Sequence, residues 1–308
     1  MAQLTDATTP LPALTATRAS NWNRLSRHLS PYAFLLPALV LVGVLLLWPF
    51  LRSSYLSFTN FKGIGEAKWV GFANYRQLFD DPILSRSMTN TLYWVIGTLV
   101  LPVGLGLLIA VASFDLKGGT FYRLPFLMPY ALSGTAIATV WQFMLTRDGA
   151  VNSVLNAAGL DTLSRSWLLR PPLNTYAMII ASTWQAVGVS VLLFLIGLQV
   201  IPKDPIEAAR LDGAEGWRLF RDMTLPLLRP MTIVTVGISL VNSLKTFDII
   251  WIMTQGGPYR SSETLAVTMY RQTFVLFDHG YGAAISVVLS VFVLVVSLLY
   301  LTRTLRAG

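Results

Sequence analysis

Long apolar runs alternate with short polar segments along this chain. A helix needs roughly 20 predominantly apolar residues to cross a membrane. Six runs qualify, at about 32–51, 91–112, 124–145, 176–200, 231–254 and 281–302. The third run contains Pro125, Pro129 and Gly134, so we expect its helix to be kinked or tightly packed. The pattern predicts an all-α membrane protein with six transmembrane helices.

The polar ends of the chain border the first and last runs. Residues 1–31 are polar and a full-length apolar run follows them, which favours a retained signal-anchor over a cleaved signal peptide. We expect 1–31 to be a partly disordered cytoplasmic tail, 32–303 the transmembrane domain and 304–308 a cytoplasmic tail. The segments that this orientation places inside are slightly denser in Lys and Arg, in line with the positive-inside rule.

Composition agrees with a membrane protein and excludes several other classes. The 308 residues are 54% hydrophobic and 12% charged, against about 25% charged residues in soluble domains. The net charge of +8 includes no block of like charges typical of nucleic-acid binding. We assign it to contact with the anionic lipid bilayer. His28 and His279 lack a metal-ligand spacing, and no nucleophile–base pattern indicates an enzyme.

A charged hairpin, residues 202–230, separates the fourth and fifth runs. Asp204 is a suitable N-cap and Pro205 a suitable first helical residue. Gly213 stands where a helix beginning at Pro205 and ending near Asp212 would need a left-handed residue. The spacing therefore predicts a short helix that ends in a glycine turn.

The second half of the charged hairpin is predicted to be helical as well, at about 214–223. This helix would place Trp217 and Phe220 one turn apart and give it an apolar edge. Such a hairpin suits docking on a partner, but an interfacial connector lying on lipid headgroups has the same pattern. The residues alone leave both interpretations open.

The stretch "EAARLDGAEGWRLFRDMTLPLLRP" resembles the EAA loop of the inner-membrane subunits of ATP-binding-cassette importers, whose pattern is EAA, then DGA, then LP. Other stretches are similar to the sugar-type permeases of this family: "WVGFANYRQLF", "LPFLMPYALSG" and "FDIIWIMTQGGPYRSSETLAVTMYRQTF". The resemblance covers the chain from about residue 32 to its end. It implies the type I importer permease fold, in the bacterial inner membrane, with both termini cytoplasmic.

The resemblance also implies partners: a second permease subunit, here a paralogue, two ATPase subunits, and an extracytoplasmic solute-binding protein. The chain has no GxxxxGK[ST] phosphate-binding loop, so we expect no cofactor in it and ATP and Mg in the ATPase. By resemblance, the charged hairpin couples to the ATPase through Glu207, Ala208, Ala209, Asp212, Gly213, Leu225 and Pro226.

Polar residues inside the predicted spans indicate a route for a solute. Ser239, Asn242, Ser243 and Thr246 have the spacing of one helix face, and their groups match the donors and acceptors of a sugar. Contacts between helices use the same residue types, so spacing alone does not decide. The resemblance implies that this stripe lines the solute cavity, together with Gln185 of the fourth run.

Aromatic and charged residues nearby have two interpretations each. Trp184, beside Gln185, suits either a sugar platform or a membrane-interface anchor, and the pair Trp141 and Gln142 is similar. Lys245 and Asp248 are three residues apart, and we expect them on a helix face turned away from the polar stripe. They would form a buried ion pair or a gate contact, with a proton relay as the alternative.

Together these features predict the permease subunit of an ATP-driven importer for a sugar, an oligosaccharide or disaccharide. The alternatives are a secondary active transporter, or a permease for glycerophosphodiesters or polyols. A secondary transporter would need inverted repeats or an acid near the midplane, for which Lys245–Asp248 is the candidate.

Overall fold

The computed structural model describes Tyr32 and residues 34–306, with side chains to residue 304. The predicted tail 1–31, with His28, lies outside the described residues. Regular secondary structure in the described range is helical, apart from an isolated antiparallel bridge between Thr59 and Trp69. The all-α prediction is confirmed.

The helices of the first two-thirds of the chain vary widely in length. They are α1 (Phe34–Leu56), α2 (Ala73–Asp80), α3 (Pro82–Phe114), α4 (Gly119–Leu127), α5 (Gly134–Met144), α6 (Ala150–Ala157) and α7 (Leu173–Val200). Those that follow are α8 (Lys203–Leu211), α9 (Gly216–Leu227), α10 (Arg229–Leu244), α11 (Asp248–Thr254), α12 (Leu265–Tyr270) and α13 (His279–Arg306).

The chain divides into two compact units, Met1–Arg52 and Ser53–Gly308. In the first unit, the described residues form most of α1, whose large apolar side chains are exposed, as suits a helix surrounded by lipid. The cavities, loops and hairpin discussed below all belong to the second unit.

The described helices include four that are each long and apolar enough to cross a membrane, α1, α3, α7 and α13. Two bent pairs, Gly119–Ala131 with α5 and α9 with α10, bring the number to as many as six if each pair is one span. The six apolar runs agree with this upper count, although the second pair includes α9 of the charged hairpin, which lies outside the fifth run. The final helix continues to Arg306, beyond the expected start of the tail at residue 304.

The third span is broken rather than kinked. Helical residues Gly119–Ala131 and α5 meet at an angle of 105°. Pro125 and Pro129 cannot donate backbone hydrogen bonds in the first part. Ser133 then starts a new helix, because its side chain accepts a hydrogen bond from the backbone N–H of Ala136 at 3.2 Å.

The fifth span is also broken, and the expected continuous helix over 231–254 is wrong. The helix α10 ends at Leu244, and α11 begins at Asp248. Between them, Phe247 has φ −134° and ψ −58°, outside the helical region. The hydroxyl of Thr264 donates to the carbonyl of Thr246 at 3.0 Å, which compensates for the helical hydrogen bond lost at the break.

The first helix of the charged hairpin begins two residues before the expected start at Pro205. Pro202, not Asp204, is the N-cap of α8, which starts at Lys203. The reason is that Ile201 and Pro202 are already extended, with ψ 126° and 139°, so the chain leaves α7 and can turn directly into the next helix. Gly213 has φ +82°, as the predicted glycine turn requires.

The second helix of the hairpin starts at Gly216, and the pair α9 and α10 is bent by 71°. At the bend, Leu228 is 1% exposed and packs with Phe194 and Leu195 of α7. Gly197 makes this approach possible, since a Cβ there would lie 2.9 Å from the side chain of Leu228. The hairpin is thus anchored to the membrane helices at its end.

Helices α3 and α7 pack closely through glycine. A Cβ at Gly106 would lie 2.3 Å from the Cβ of Ser190 and 3.0 Å from its carbonyl carbon. Gly104, on the same helix, has no atom within 4 Å of its Cβ position.

We expect Gly106→Ala to destabilise the protein by about 1–3 kcal/mol through overpacking. Gly104→Ala should stabilise the protein by up to about 1 kcal/mol, because alanine has the higher helix propensity.

The measurement is the midpoint temperature of thermal unfolding of the detergent-solubilised protein. Equal midpoints for the two variants would contradict the close approach of α3 and α7.

Candidate functional site

A central cavity of about 440 Å³ lies among α3, α5, α7, α10 and α11. All five residues predicted for the solute pathway line it: Gln185, Ser239, Asn242, Ser243 and Thr246. They come from two different spans, so their convergence was not implied by spacing within one helix. The sequence-based grouping of these residues agrees with the geometry, while their role in transport remains a prediction.

The central cavity lies where the broken third and fifth spans meet α7. The Asp248 carboxylate, at the start of α11, is 3.6 Å from where a Cβ of Gly134 would stand at the start of α5. From α7, the side-chain amide of Gln185 donates to the carbonyl of Leu132 at 2.8 Å. The positive end of the α5 dipole favours the Asp248 charge. Each break therefore brings polar groups to the cavity wall.

The polar stripe of α10 has two kinds of member. Ser243 is 2% exposed and donates to the carbonyl of Leu240, and Thr246 donates to that of Asn242. Their hydroxyl hydrogens are therefore occupied. Within the described residues, the side chains of Ser239 and Asn242 make no hydrogen bonds, so their donors and acceptors are available to a molecule in the cavity.

Lys245 and Asp248 do not behave as expected. Both side chains are exposed and line the central cavity with the polar stripe, so the expectation that they face away from it is wrong. Among the described ion pairs, Arg221–Asp222, Arg260–Glu263 and Arg271–Glu263, neither takes part. The expectation of a buried ion pair is therefore wrong in this conformation. The cause is the helix break, because an i, i+3 argument holds only on one continuous helix.

Sequence reasoning missed the contribution of α3 to the central cavity. Trp94 and Thr98 line it, and Trp94 is fully buried with an indole N–H that lacks a partner among the described residues. A periodicity at the start of the second run indicates this face of the helix, since Thr91, Trp94 and Thr98 are spaced three and four residues apart.

The predicted aromatic platform is not part of the cavity wall. Trp184 packs edge-on against Trp141, with 6.1 Å between ring centroids. Gln142 donates to the carbonyl of Met253 at 3.3 Å. These residues hold α5, α7 and α11 together.

The charged hairpin exposes most of the residues predicted to couple to an ATPase: Glu207, Ala208, Asp212, Gly213 and Pro226 are exposed, and Ala209 and Leu225 are half-buried. Leu211 and Trp217 are also 89% and 70% exposed. Trp217 contacts Phe220 at 5.2 Å between ring centroids, as expected from their spacing. The exposed apolar side chains of Leu211 and Trp217, on a hairpin whose end is anchored to the membrane helices, suit a docking surface for a partner.

Metal binding finds no support in the part of the chain that the structure describes, where no three His, Asp or Glu residues are grouped to hold an ion. His279 instead lies against the ring of Phe61, with 5.5 Å between centroids.

Comparison with known proteins identifies the family. Residues 34–305 match the family described as "Binding-protein-dependent transport system inner membrane component". A probable ABC transporter permease of Pyrococcus horikoshii is 36% identical over 87% of this chain and 93% of its own length. The sulfoquinovosyl glycerol transport system permease protein SmoG of Agrobacterium fabrum is 35% identical over 92% of this chain and 93% of its own. The chain therefore belongs to this family of inner-membrane transport components.

A solved structure shares the fold. A chain of a bacterial alginate ABC transporter, in complex with an alginate pentasaccharide-bound periplasmic protein, superposes with a TM-score of 0.82 at 22% identity. The match covers 93% of this chain and 97% of that one. The expected type I importer permease fold is confirmed.

The natural absence of cysteine makes the central cavity testable. Maleimides react with the thiolate, which forms only where water reaches the thiol. We expect Asn242→Cys to react with a charged, water-soluble maleimide in membranes. Leu294→Cys, which is 60% exposed on the apolar outside of α13, should remain unlabelled because lipid surrounds it. Labelling is read by mass shift, and equal labelling of both variants would refute a water-filled cavity.

Proposed function

We propose that this chain is one of the two membrane subunits of an ATP-driven importer, and that its central cavity carries a sugar, an oligosaccharide or disaccharide. The observation that supports this most directly is the meeting of Gln185 with the α10 stripe in one cavity. The cavity volume of about 440 Å³ lies within the roughly 300–1,000 Å³ of small-molecule sites.

The chemistry of the cavity wall suits hydroxyl-rich solutes. Free donors and acceptors at Ser239 and Asn242 alternate with apolar surface such as Ile238 and Leu193. A sugar presents hydroxyls at its edges and C–H groups on its faces, and it needs both kinds of contact. The names of the Agrobacterium relative and of the alginate transporter lend further support, since each denotes a saccharide or glycoside.

In this proposal, the conformational change of the ATPases acts on this chain through the charged hairpin. In the proposed assembly, two partner ATPases bind ATP and Mg, and each permease presents one hairpin to them. Glu207 and Asp212 orient α8, and Gly213 makes its turn. The buried Leu228 transmits motion to α7 and α10. ATPase closure then rocks the helices and opens the cavity outward, and hydrolysis returns it inward.

The rest of the assembly follows from this assignment. The chain lies in a bacterial inner membrane with both termini in the cytoplasm. A paralogous second permease completes the pathway, and an extracytoplasmic solute-binding protein delivers the sugar. Ion-driven transport is less well supported, because Asp248 is the one acid that lines the central cavity among the described residues and a proton relay needs a chain of such groups.

Lys245 favours a second candidate, a solute that carries an acid group, such as a glycerophosphodiester. Its ammonium lines the central cavity without an ion-pair partner among the described residues. A free cation in a cavity is well placed for a phosphate or carboxylate.

The test of the proposed function is reconstitution of the chain with its partner permease, ATPases and solute-binding protein in proteoliposomes. We expect uptake that requires ATP and the loaded binding protein. Gly213 has φ +82° and open space around its Cβ position, so within this chain a substitution there acts through backbone strain. The stimulated ATPase rate should fall in the order Gly, Asn, Ala, Val, since Asn tolerates this conformation and β-branched residues do not.

We expect Gly213→Val to lower the stimulated rate about tenfold or more, as a strain of 1–3 kcal/mol predicts. The control Gly65→Val also places valine at a positive φ with open space around it. Gly65 lies in the loop between α1 and α2, which the proposed orientation puts on the side of the membrane opposite the charged hairpin. It should leave coupling unchanged. Uptake without ATP, or wild-type coupling in Gly213→Val, would refute the proposed function.

The nature of the solute is tested with Lys245→Gln. If the solute is anionic, its uptake should fall about 10–100-fold, the effect of losing a hydrogen bond to a charged group. Uptake of a neutral sugar should change little. The measurement is uptake of matched radiolabelled neutral and anionic saccharides, and equal losses for both would exclude a role of Lys245 in charge recognition.

A further inference from the structure

A second large cleft, the α10–α13 groove, lies between these two helices and has a volume of about 500 Å³. Apolar side chains form most of its wall: Ile233, Val234, Ile238, Leu240, Val241 and Leu301. The hydroxyl of Tyr300, which also lines it, donates to the carbonyl of Ile233 at 2.7 Å and so is already engaged. The groove therefore suits a hydrocarbon chain better than a sugar, whose hydroxyls would find few partners there.

A glycine gives the groove its floor. A Cβ at Gly237 would lie 3.3 Å from Cε1 of Tyr300, so the tyrosine ring packs directly on the backbone of α10. Because Gly237 has no side chain, the space above this contact stays open and belongs to the groove. A slender apolar molecule can therefore lie along α10 at this point.

The groove opens on the apolar outside of the bundle. Val234 and Leu301 line it and are exposed, and Leu294 and Leu298 continue the exposed apolar surface along α13. Since α13 is long and apolar enough to cross a membrane, such a surface contacts lipid chains, which are as apolar as leucine. A lipid can thus enter the groove directly from the bilayer.

The length of the groove matches one lipid leaflet. A rise of about 1.5 Å per residue gives about 14 Å between Ile233 and Asn242, the two ends of its α10 wall. The hydrocarbon core of a bilayer is about 30 Å thick, so one leaflet supplies about 15 Å. Asn242 also lines the central cavity, so an acyl chain in the groove would end beside the predicted solute pathway.

Basic residues stand at the end of the groove nearest the charged hairpin. Arg229 begins α10 and Arg303 lies near the end of α13, and both are exposed. Because the two helices are antiparallel and meet at Tyr300 and Ile233, both arginines lie beyond that contact, toward the headgroups. Neither helix contains Asp or Glu, so this end of the groove attracts an anion.

We propose that the α10–α13 groove binds an anionic phospholipid of the leaflet that borders the charged hairpin. One acyl chain lies along Gly237 and Val241, and the phosphate lies at Arg229 and Arg303. A zwitterionic lipid offers the same chains, but its own cation offsets the attraction of the arginines. The inference goes beyond the proposed function and requires only that α10 and α13 cross a membrane.

The experiment measures lipid binding to the full chain, purified in detergent and titrated with phosphatidylglycerol or with phosphatidylcholine of the same acyl chains. Native mass spectrometry counts the lipids bound. We expect phosphatidylglycerol to bind at least about tenfold more tightly, because two basic residues attract its headgroup. Arg303→Gln should weaken its binding about fivefold and leave phosphatidylcholine unchanged.

The control for charge is Lys117→Gln. Lys117 is an exposed basic residue in the loop between α3 and α4, on the same side of the membrane as the charged hairpin but outside the groove. This variant should bind both lipids as the wild type does.

The acyl chain is tested by filling the groove. Val234→Trp should weaken the binding of both lipids at least about tenfold, because the indole takes the place of the chain. Its matched control is Val295→Trp, since Val295 is 45% exposed, against 47% for Val234, and lies on α13 outside the groove. This control should change neither affinity. An unchanged midpoint of thermal unfolding without added lipid shows that each variant is folded.

Three results would overturn the proposal. The first is equal binding of the two lipids by the wild type, and the second is equal loss in Val234→Trp and Val295→Trp. The third is a Val234→Trp variant that binds lipid normally but no longer co-purifies with a second permease, since the groove would then be a subunit contact. None of these results bears on which solute the central cavity carries.

Discussion

The structure depends on one constraint, that backbone N–H and C=O groups inside a bilayer must find partners within the protein. Two spans of this chain interrupt their helices and still meet it. Ser133 and Gln185 satisfy groups at the first break, and Thr264 does so at the second. Both breaks lie on the central cavity. Irregular backbone at membrane depth is tolerated where it lines such a cavity, so the breaks and the cavity depend on each other.

The hydrogen bonds that satisfy the backbone at the breaks also determine which polar groups of the cavity remain available to a solute. One N–H of the Gln185 side-chain amide is engaged with the carbonyl of Leu132, so its second N–H and its oxygen are left for binding. Replacing Gln185 would remove that hydrogen bond from the break, at a net cost of about 0.5–1.5 kcal/mol, and loss of transport in such a variant would mix structure with recognition. The side chain of Asn242 makes no hydrogen bond among the described contacts, so loss of transport on its substitution reports on solute binding more directly.

The sequence predicted the spans well because hydropathy reports directly on burial in lipid. It also predicted that the polar stripe shares one surface, and Thr246 lines the central cavity with the other three residues although it lies past the end of α10. It failed at Lys245 and Asp248, because Thr264, which pairs with the carbonyl at the break, lies 18 residues from Thr246 in sequence. Trp94 was missed for another reason: an aromatic residue inside an apolar run has no polarity contrast of its own, and only the neighbouring Thr91 and Thr98 mark its face of the helix.

The fifth span is fixed at both ends and interrupted between them. Leu228 is buried against α7 at one end, and at the other, Asn90, Asn174 and Glu263 hold the loop between α11 and α12, residues 255–264. Packed helices and a loop held in this way are stiff, so a displacement at the hairpin concentrates where the backbone lacks helical hydrogen bonds. That place is Lys245–Phe247, in the wall of the central cavity. In the proposed mechanism, a displacement of the hairpin is therefore taken up at this break in the cavity wall.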